Sequence, residues 1–540
     1  VPTDRLTIAA LRYVALPALG LLLAWLAWRR LDGERLERRL DARASRLVGL
    51  AVAVAGVLFV GLLVARYLTW HSHAFDLGLY DQKIWLASTR DSAWAALEQT
   101  WRGGVKVAPC GAARYWGICH FQPLYVVYAA AYRVWASPLL LLASQALLVV
   151  AGLVPCYLLA RARLGSAGAG ALVGALYLLY PAVQFNGLVD FRPDHIAIPC
   201  LLGAYALADR GRIAASVALA AVPALAKETL MLPLAFFGLY LAIRHRRRMV
   251  GGALFAVGLA AFVVVTFEVL AGPGRSEGAF LVGRYFSSGL ASLAPALLAR
   301  KIVYVLMLFG PLAFLPLVDP VGLLPALPAL GIALLSSDPT HMSIQSQYTA
   351  SVVAPAFAAL GCAVARLQAW TRRSPSRLLG ALLVLALAFS VAQGATPASI
   401  NFWSASWGRQ WHWRQYVPDR QAALDEAARL VPADPDVVVV TQNDVNAARL
   451  AHRHYFFPFP NALERADYVL LDTGRRPFVY WVVPRDPAPY EALVARLRAS
   501  ADYRLAYERD GVLLFARTAA RRPGPPDLAP APRLPEGLPR

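Results

Sequence analysis

Apolar runs of about 20 residues recur along the chain as far as residue 395, and each is long enough to cross a bilayer as a helix. Nothing else in the sequence restricts the fold as severely. In hydrocarbon the backbone N–H and C=O groups must be paired within the protein, which leaves helices as the form for segments of this length. With 58% hydrophobic and 16% charged residues over 540 positions, the composition is that of a polytopic α-helical membrane protein. The net charge of +20 sits in short arginine-rich loops between apolar runs. That is the pattern of cytoplasmic loops facing anionic lipid headgroups, and a nucleic-acid partner is not expected. The first apolar run leads into arginines rather than a small-residue cleavage site, so it reads as a retained span.

Arginine placement sets the expected sidedness. A span at about Tyr13–Trp28 is followed by Arg29, Arg30, Arg35, Arg38, Arg39, Arg43 and Arg46, which places residues 1–46 as a first span plus a cytoplasmic loop. The next span, about Leu47–Trp70, then exits, and residues 71–135 form a large outer loop. Within it, Leu77–Trp101 and Tyr125–Trp135 read as interfacial amphipathic helices. Further spans are expected at Pro138–Ala160, Ala167–Phe185, Ile196–Ala208, Val250–Ala271, a pair within Ile302–Leu335, Ser351–Ala365 and Leu378–Val391. Ile213–Ile243 has basic residues on both flanks and Lys227-Glu228 at its centre, so it reads as a hairpin of two short helices with a polar tip. The total is about twelve spans in a transmembrane domain over 47–395, with both chain ends outside the cytoplasmic membrane.

Trp403, Trp407, Trp411 and Trp413 read as an interfacial anchor. From there the composition changes to that of an extracytoplasmic α/β domain over 396–517. Its expected elements are helices at Gln421–Leu430, Asp444–Leu450 and Tyr490–Ser500, strands at Val437–Val440 and Tyr468–Leu471, and a hairpin over Tyr503–Ala516 around Asp510-Gly511. The Pro- and Arg-rich segment 518–540 is expected to be disordered. Cys156, Cys200 and Cys362 lie in apolar runs as packing residues. Cys110 and Cys119 share the outer loop, where an oxidising compartment would join them as a disulfide; two free thiols are the alternative.

Polar residues gather on the outer side: Asp76, Asp81 and His120, then Asp190 to His195, then Lys227-Glu228, Arg284 and Gln347-Tyr348. A cavity lined by acids, cations and aromatics at the membrane boundary suits a polar head group presented by a lipid. The segment Phe75-Asp76-Leu77-Gly78-Leu79-Tyr80-Asp81-Gln82, followed by His120-Phe121, Tyr180-Pro181, Phe191-Arg192-Pro193-Asp194-His195, Lys227-Glu228 and Gln347-Tyr348, resembles a family of predicted membrane proteins, the domain of unknown function twenty seventy-nine. That family looks related to the GT-C glycosyltransferases, although Arg192-Pro193-Asp194 stands where His-Pro-Glu is expected.

The resemblance implies an integral membrane enzyme of the cell envelope that moves a sugar from a polyprenyl-phosphate donor to a glycan, lipid or protein acceptor. By the same resemblance Asp76 is the catalytic acid of the first outer loop. Lys227, Arg192 and Arg284 would face the leaving phosphate. His195, His120, Gln347, Tyr348, Glu228 and Asp81 would bind substrate or support those that do. No structural zinc is expected, and a divalent ion at Asp76 is left open. Plainer readings stand beside these: Asp76 as a helix N-cap, Lys227-Glu228 as a self-neutralised pair, Arg192–Asp194 as a turn salt bridge, Asp190 as a turn residue. A flippase of lipid-linked sugar and a non-catalytic assembly protein are the alternative functions.

Overall fold

In a computed structural model of the chain, the described residues are 7–88, 120–270, 295–404, 411–434, 437–450 and 452–518, the last range interrupted at 453–454, 461–462, 465 and 475–487. Arg284, Cys110, Cys119 and Trp407 therefore lie outside the described residues, as does segment 519–540. The chain divides into two compact units. One takes Val1–Leu62, Ser144–Val189 and Pro193–Trp413; the other takes Leu63–Ala143, Asp190–Arg192 and Arg414–Arg540.

Among the described residues, seven helices are long and apolar enough to cross a membrane: Thr7–Arg30, Ala44–Leu68, Pro138–Leu164, Arg248–Phe267, Pro295–Leu312, Gln347–Thr371 and Pro375–Gln393. Ala167–Leu179 and Pro181–Leu188 form a further pair, bent by 58°. Pro181 explains the break: it has no N–H to continue the first helix but suits the first turn of the second. The other expected segments are helical but shorter than a full crossing. They are Ala197–Asp209, Ile213–Ala221 with a tight turn to Leu225, Met231–Arg244, and Leu327–Leu335. Shortness has a local cause in each later case, since Pro223, Lys227-Glu228 or the prolines at 311, 316, 320 and 325 interrupt the helical ladder.

The helix pair Met231–Arg244 and Arg248–Val263 packs through Gly238 and Gly251, where an added Cβ on either would collide with the other's carbonyl oxygen. Small residues let backbones approach this closely, which is how membrane helices gain packing without a hydrophobic drive. Gly238→Ala is expected to force the pair apart at a cost of about 1–3 kcal/mol, read as a lowered unfolding midpoint in detergent.

Gly33–Asp41 is a short amphipathic helix that the sequence reading treated only as a basic loop. Its acids Glu37 and Asp41 hold other helices. Glu37 accepts from the Ser374 and Ser376 hydroxyls at 2.5 and 3.0 Å, and Asp41 accepts from the Ser166 hydroxyl and Gly168 N–H at 3.1 and 2.6 Å. Carboxylates at helix N-termini satisfy donors that the helices cannot satisfy themselves.

The second unit contains a five-stranded sheet of order β2-β1-β3-β5-β4, with β1 Val438–Thr441, β2 Tyr455–Pro458, β3 Tyr468–Asp472, β4 Tyr503–Arg509 and β5 Val512–Arg517. β1 pairs in parallel with β2 and β3, whereas β5 runs antiparallel to both β3 and β4. The β4–β5 turn is the expected one: Asp510 and Gly511 both have positive φ, +51° and +81°, as a tight hairpin requires. Helices Gln421–Arg429 and Ala488–Ala499 flank the sheet. Trp70, Ala74 and Leu79, which follow the helix Ala44–Leu68, pack into the same core as Leu424, Val439, Leu470 and Leu514. Of the tryptophans expected as anchors, Trp403 is exposed, whereas Trp411 is buried with its ring 4.7 Å from that of Phe185.

Candidate functional site

The second unit holds Asp76. It sits in a single wide turn, Ala74–Gly78, that leads into the helix Leu79–Ser88. Its side chain makes no capping bond. Instead Oδ1 lies 2.6 Å from Arg192 Nη2, a charge-assisted pair with Asp76 buried and Arg192 about one-fifth exposed. Two residues earlier, Asp190 is fully buried and accepts from Arg66 Nη2 at 2.8 Å and from the His73 backbone N–H at 2.6 Å. It thereby ties the end of the helix Ala44–Leu68 to the start of the Asp76 turn. The Tyr416 hydroxyl also bonds Arg66. Between Asp190 and Arg192 in sequence, Phe191 packs edge-on against Tyr80 and Tyr128, with centroids 5.6 and 5.1 Å away.

His73 is wholly buried, and burial is the first cause of its lowered pKa; Arg66 and Arg192 push the same way, against Asp190 and Asp76. The folded protein thus disfavours the imidazolium that the unfolded chain accepts freely. Between the lowered folded pKa and the ordinary value near about 6.5, the unfolded state binds more protons, so stability falls as pH falls through that window. Unfolding midpoints are expected to decline on acidification below about pH 6.5, by at most about 1.4 kcal/mol per pH unit from this group, and His73→Gln is expected to flatten that limb.

Asp81 is also buried, but it belongs to a separate cluster. Tyr132 donates its hydroxyl to Asp81 at 2.9 Å, and His452 Nδ1 lies 2.8 Å from the same carboxylate. Five residues separate Asp81 from Asp76 in sequence, and no hydrogen bond joins their side chains. His120 is half-buried just before Phe121 and Gln122, ahead of the helix Tyr125–Val134.

The first unit holds the Lys227 cluster. Lys227 is extended, with φ −168°, in the gap between the two short arms expected from the sequence. Its ammonium is 3.2 Å from Asp194 Oδ2 and 5.4 Å from the centre of the Tyr348 ring. Lys227, Glu228, Asp194 and His195 are all buried. A cleft enclosing about 510 Å³, including space open to the surroundings, is lined by Asp194, His341, Gln347 and Tyr348 on its polar side. Leu230, Pro233, Ile332 and Ala333 supply an apolar wall. Such a volume and mixed lining suit a ligand with a polar head and an apolar stem.

Supporting bonds fix this lining. His341 is buried, its Nδ1 2.7 Å from Ser336 Oγ, and its ring stands edge-on to Tyr348 at 4.5 Å. Asn186 donates to Thr349 Oγ1 at 2.7 Å, bracing the Gln347–Thr349 turn from the bent helix Pro181–Leu188.

The two clusters each take a residue from the segment Arg192-Pro193-Asp194. Arg192 pairs with Asp76 and Asp194 with Lys227, while the chain passes from one unit to the other at the Arg192–Pro193 peptide. Beside the local salt bridge considered from sequence, Arg192 and Asp194 each make a longer-range pair, and Lys227 finds Asp194 as a partner. His341, Arg66, His73 and His452 are not among the site residues expected from sequence, and Asp190 is expected there as one of the outer polar residues or a turn residue. Arg66 offered the clearest signal, an arginine near the end of an otherwise apolar run. For a divalent ion at Asp76 the donor set does not fit: the carboxylate faces an arginine, and among the described residues no three His, Cys, Asp or Glu side chains converge.

Two crystal structures of ArnT from Cupriavidus metallidurans are similar to this chain in fold, one in the apo state and one bound to undecaprenyl phosphate. Each is 15% identical and covers 88% of this chain; TM-scores are 0.50 and 0.51, over 98% and 99% of the ArnT chains. No curated protein matches by sequence. The fold is therefore GT-C-like. The family model for predicted membrane proteins with domain of unknown function 2079 (DUF2079) spans residues 66–514, which takes in both clusters, and the chain belongs to that family.

Proposed function

We propose that this protein is a glycosyltransferase that moves a sugar from a polyprenyl-phosphate donor to an acceptor hydroxyl at the outer face of the cytoplasmic membrane. The observation that carries the reading is the Lys227 cluster: a buried ammonium beside a cleft with one polar and one apolar wall. The ammonium is already paired with Asp194, and a phosphate head group reaching the cleft would give it a second, charge-assisted partner. The GT-C-like fold and the undecaprenyl phosphate bound by ArnT support the same donor chemistry.

In this reading the acceptor oxygen forms a bond to the anomeric carbon while the bond from that carbon to the phosphate oxygen breaks. The acceptor proton passes to the Asp76 carboxylate, and the electron pair of the broken bond leaves on the polyprenyl phosphate. Lys227 stabilises the charge growing on that phosphate. Arg192 orients Asp76, a role different from the phosphate contact first expected of it. Gln347 and Tyr348 meet sugar hydroxyls, and His195 and Glu228 support the Lys227 turn. One displacement inverts the anomeric centre and needs one base with no covalent intermediate.

The C-terminal domain lies outside the membrane in this reading, with Asp76. Lipids extracted from the purified protein test the donor assignment by mass spectrometry. A polyprenyl phosphate or its sugar adduct is expected in the extract, enriched over the detergent-exchanged membrane background. Enrichment of ordinary phospholipid alone, with no binding of added polyprenyl-phosphate sugars, would move the assignment to another lipid and to transport.

A further inference from the structure

The turn that carries Asp76 is built into the C-terminal domain. The Ala74 N–H donates to the Asn443 carbonyl at 2.9 Å, just beyond strand β1. The Thr69 hydroxyl donates to the Gln415 carbonyl at 2.7 Å, and Trp70 Nε1 donates to Asp425 at 2.8 Å. Arg449 lies over the Trp70 ring at 4.8 Å and also bonds Asp425 and the Leu68 carbonyl. The segment before Asp76 therefore has its backbone and its largest side chain held by the domain.

The segment after Asp76 is held by Leu79, which packs into the domain core, and by a polar contact through His452. Its Nδ1 lies 2.8 and 3.1 Å from the two Asp81 oxygens, and its Nε2 lies 3.0 Å from the Ala136 carbonyl oxygen. Both ring nitrogens thus face acceptors. A neutral imidazole has one N–H and turns a lone pair toward whichever acceptor it does not serve; the imidazolium serves both. Among the described residues, the groups facing this pair include Tyr132, whose hydroxyl donates to Asp81 and whose ring is edge-on to His452 at 6.5 Å, and Tyr67, which feels the charges of Asp81 and Arg449. Burial and the Asp81 charge push the Tyr132 phenol well up, so it remains a neutral donor.

We infer that His452 is a positioning residue, held as an imidazolium, through which the C-terminal domain fixes the helix Leu79–Ser88 and the Asp76 turn that leads into it. The catalytic consequence rests on the reading of Asp76 as the base; the mechanical one does not. As pH rises and His452 loses its proton, one of its two bonds is lost and the turn loosens.

The test uses the full chain in lipid nanodiscs. Backbone hydrogen exchange across residues 73–88, corrected for the intrinsic pH dependence of exchange, is followed alongside the histidine ¹⁵N signals, with His452→Gln assigning the His452 resonance. In the wild type, His452 is expected to keep both protons above the ordinary imidazole value of about 6.5. Exchange in 73–88 should rise about tenfold as His452 titrates. In His452→Ala it should be high and flat with pH, and any transfer activity should lose the same alkaline limb.

A His452 that titrates like a free imidazole, with exchange indifferent to it, overturns the inference; flat wild-type exchange across 73–88 over the imidazole range does so by itself, with no variant needed. If exchange behaves as described but Asp76→Asn transfers sugar normally, the positioning stands and the base assignment fails. If Asp76→Asn abolishes transfer while exchange ignores His452, the reverse holds.

Discussion

Arg66→Met is expected to destabilise the protein by about 3–5 kcal/mol, the largest effect on stability of any single change considered for it. Both partners of the Arg66–Asp190 pair are almost wholly buried, with side-chain exposures of 1% and 0%, and the Asp190 carboxylate has the His73 N–H as its other donor. Removing the guanidinium leaves a desolvated negative charge with one neutral hydrogen bond. The cost comes from the orphaned charge rather than from the attraction of the pair, because desolvating two ions offsets most of that attraction. The double substitution Arg66→Met with Asp190→Leu should therefore recover most of the loss. Denaturation midpoints in mixed micelles read both outcomes. The single variant should also loosen residues 71–78, since Asp190 holds the His73 backbone.

Asp76→Asn is expected to lower the rate of sugar transfer by about 10²–10⁴-fold, the range over which a positioned base contributes, with donor binding retained. Asparagine keeps the size of the side chain and an oxygen for Arg192 but cannot take the acceptor proton. Lys227→Ala is expected to act at the other end of the reaction. It removes the cation beside the cleft and leaves Asp194 buried without its 3.2 Å partner, so donor retention should fall along with rate. Lys227→Arg, which keeps the charge, should restore part of the retention and separates loss of a cation from loss of folding. Kinetically, the Asp76 variant loses kcat and the Lys227→Ala variant loses kcat/KM more than kcat.

Much of the fold was legible because its signals are local. Apolar run length marks the long helices, Asp510-Gly511 marks the β4–β5 hairpin, and Lys227-Glu228 between two basic flanks marks the broken hairpin Ile213–Arg244. Strand β2 was missed because it is a four-residue edge strand, Tyr455–Pro458, too short to display alternation. The site was legible as a set of residue types but not as pairs. Asp190 reads locally as a turn residue, because its partner Arg66 lies 124 positions away. Asp81 reads as a neighbour of Asp76, whereas its partner His452 lies 371 positions away. Arg192 and Asp194, two residues apart, invite a local salt bridge. Their longer-range partners, Asp76 for Arg192 and Lys227 for Asp194, leave no local mark in the sequence.

In the proposed reaction Lys227 serves the lipid phosphate and Asp76 serves the acceptor. The most direct measurement is release of free polyprenyl phosphate from a synthetic polyprenyl-phosphate sugar in proteoliposomes, with bound donor quantified in the same samples for wild type, Asp76→Asn and Lys227→Ala. The account predicts release and binding in the wild type, binding without release in Asp76→Asn, and loss of both in Lys227→Ala. Equal release by wild type and Asp76→Asn, or full donor binding by a folded Lys227→Ala, would contradict it.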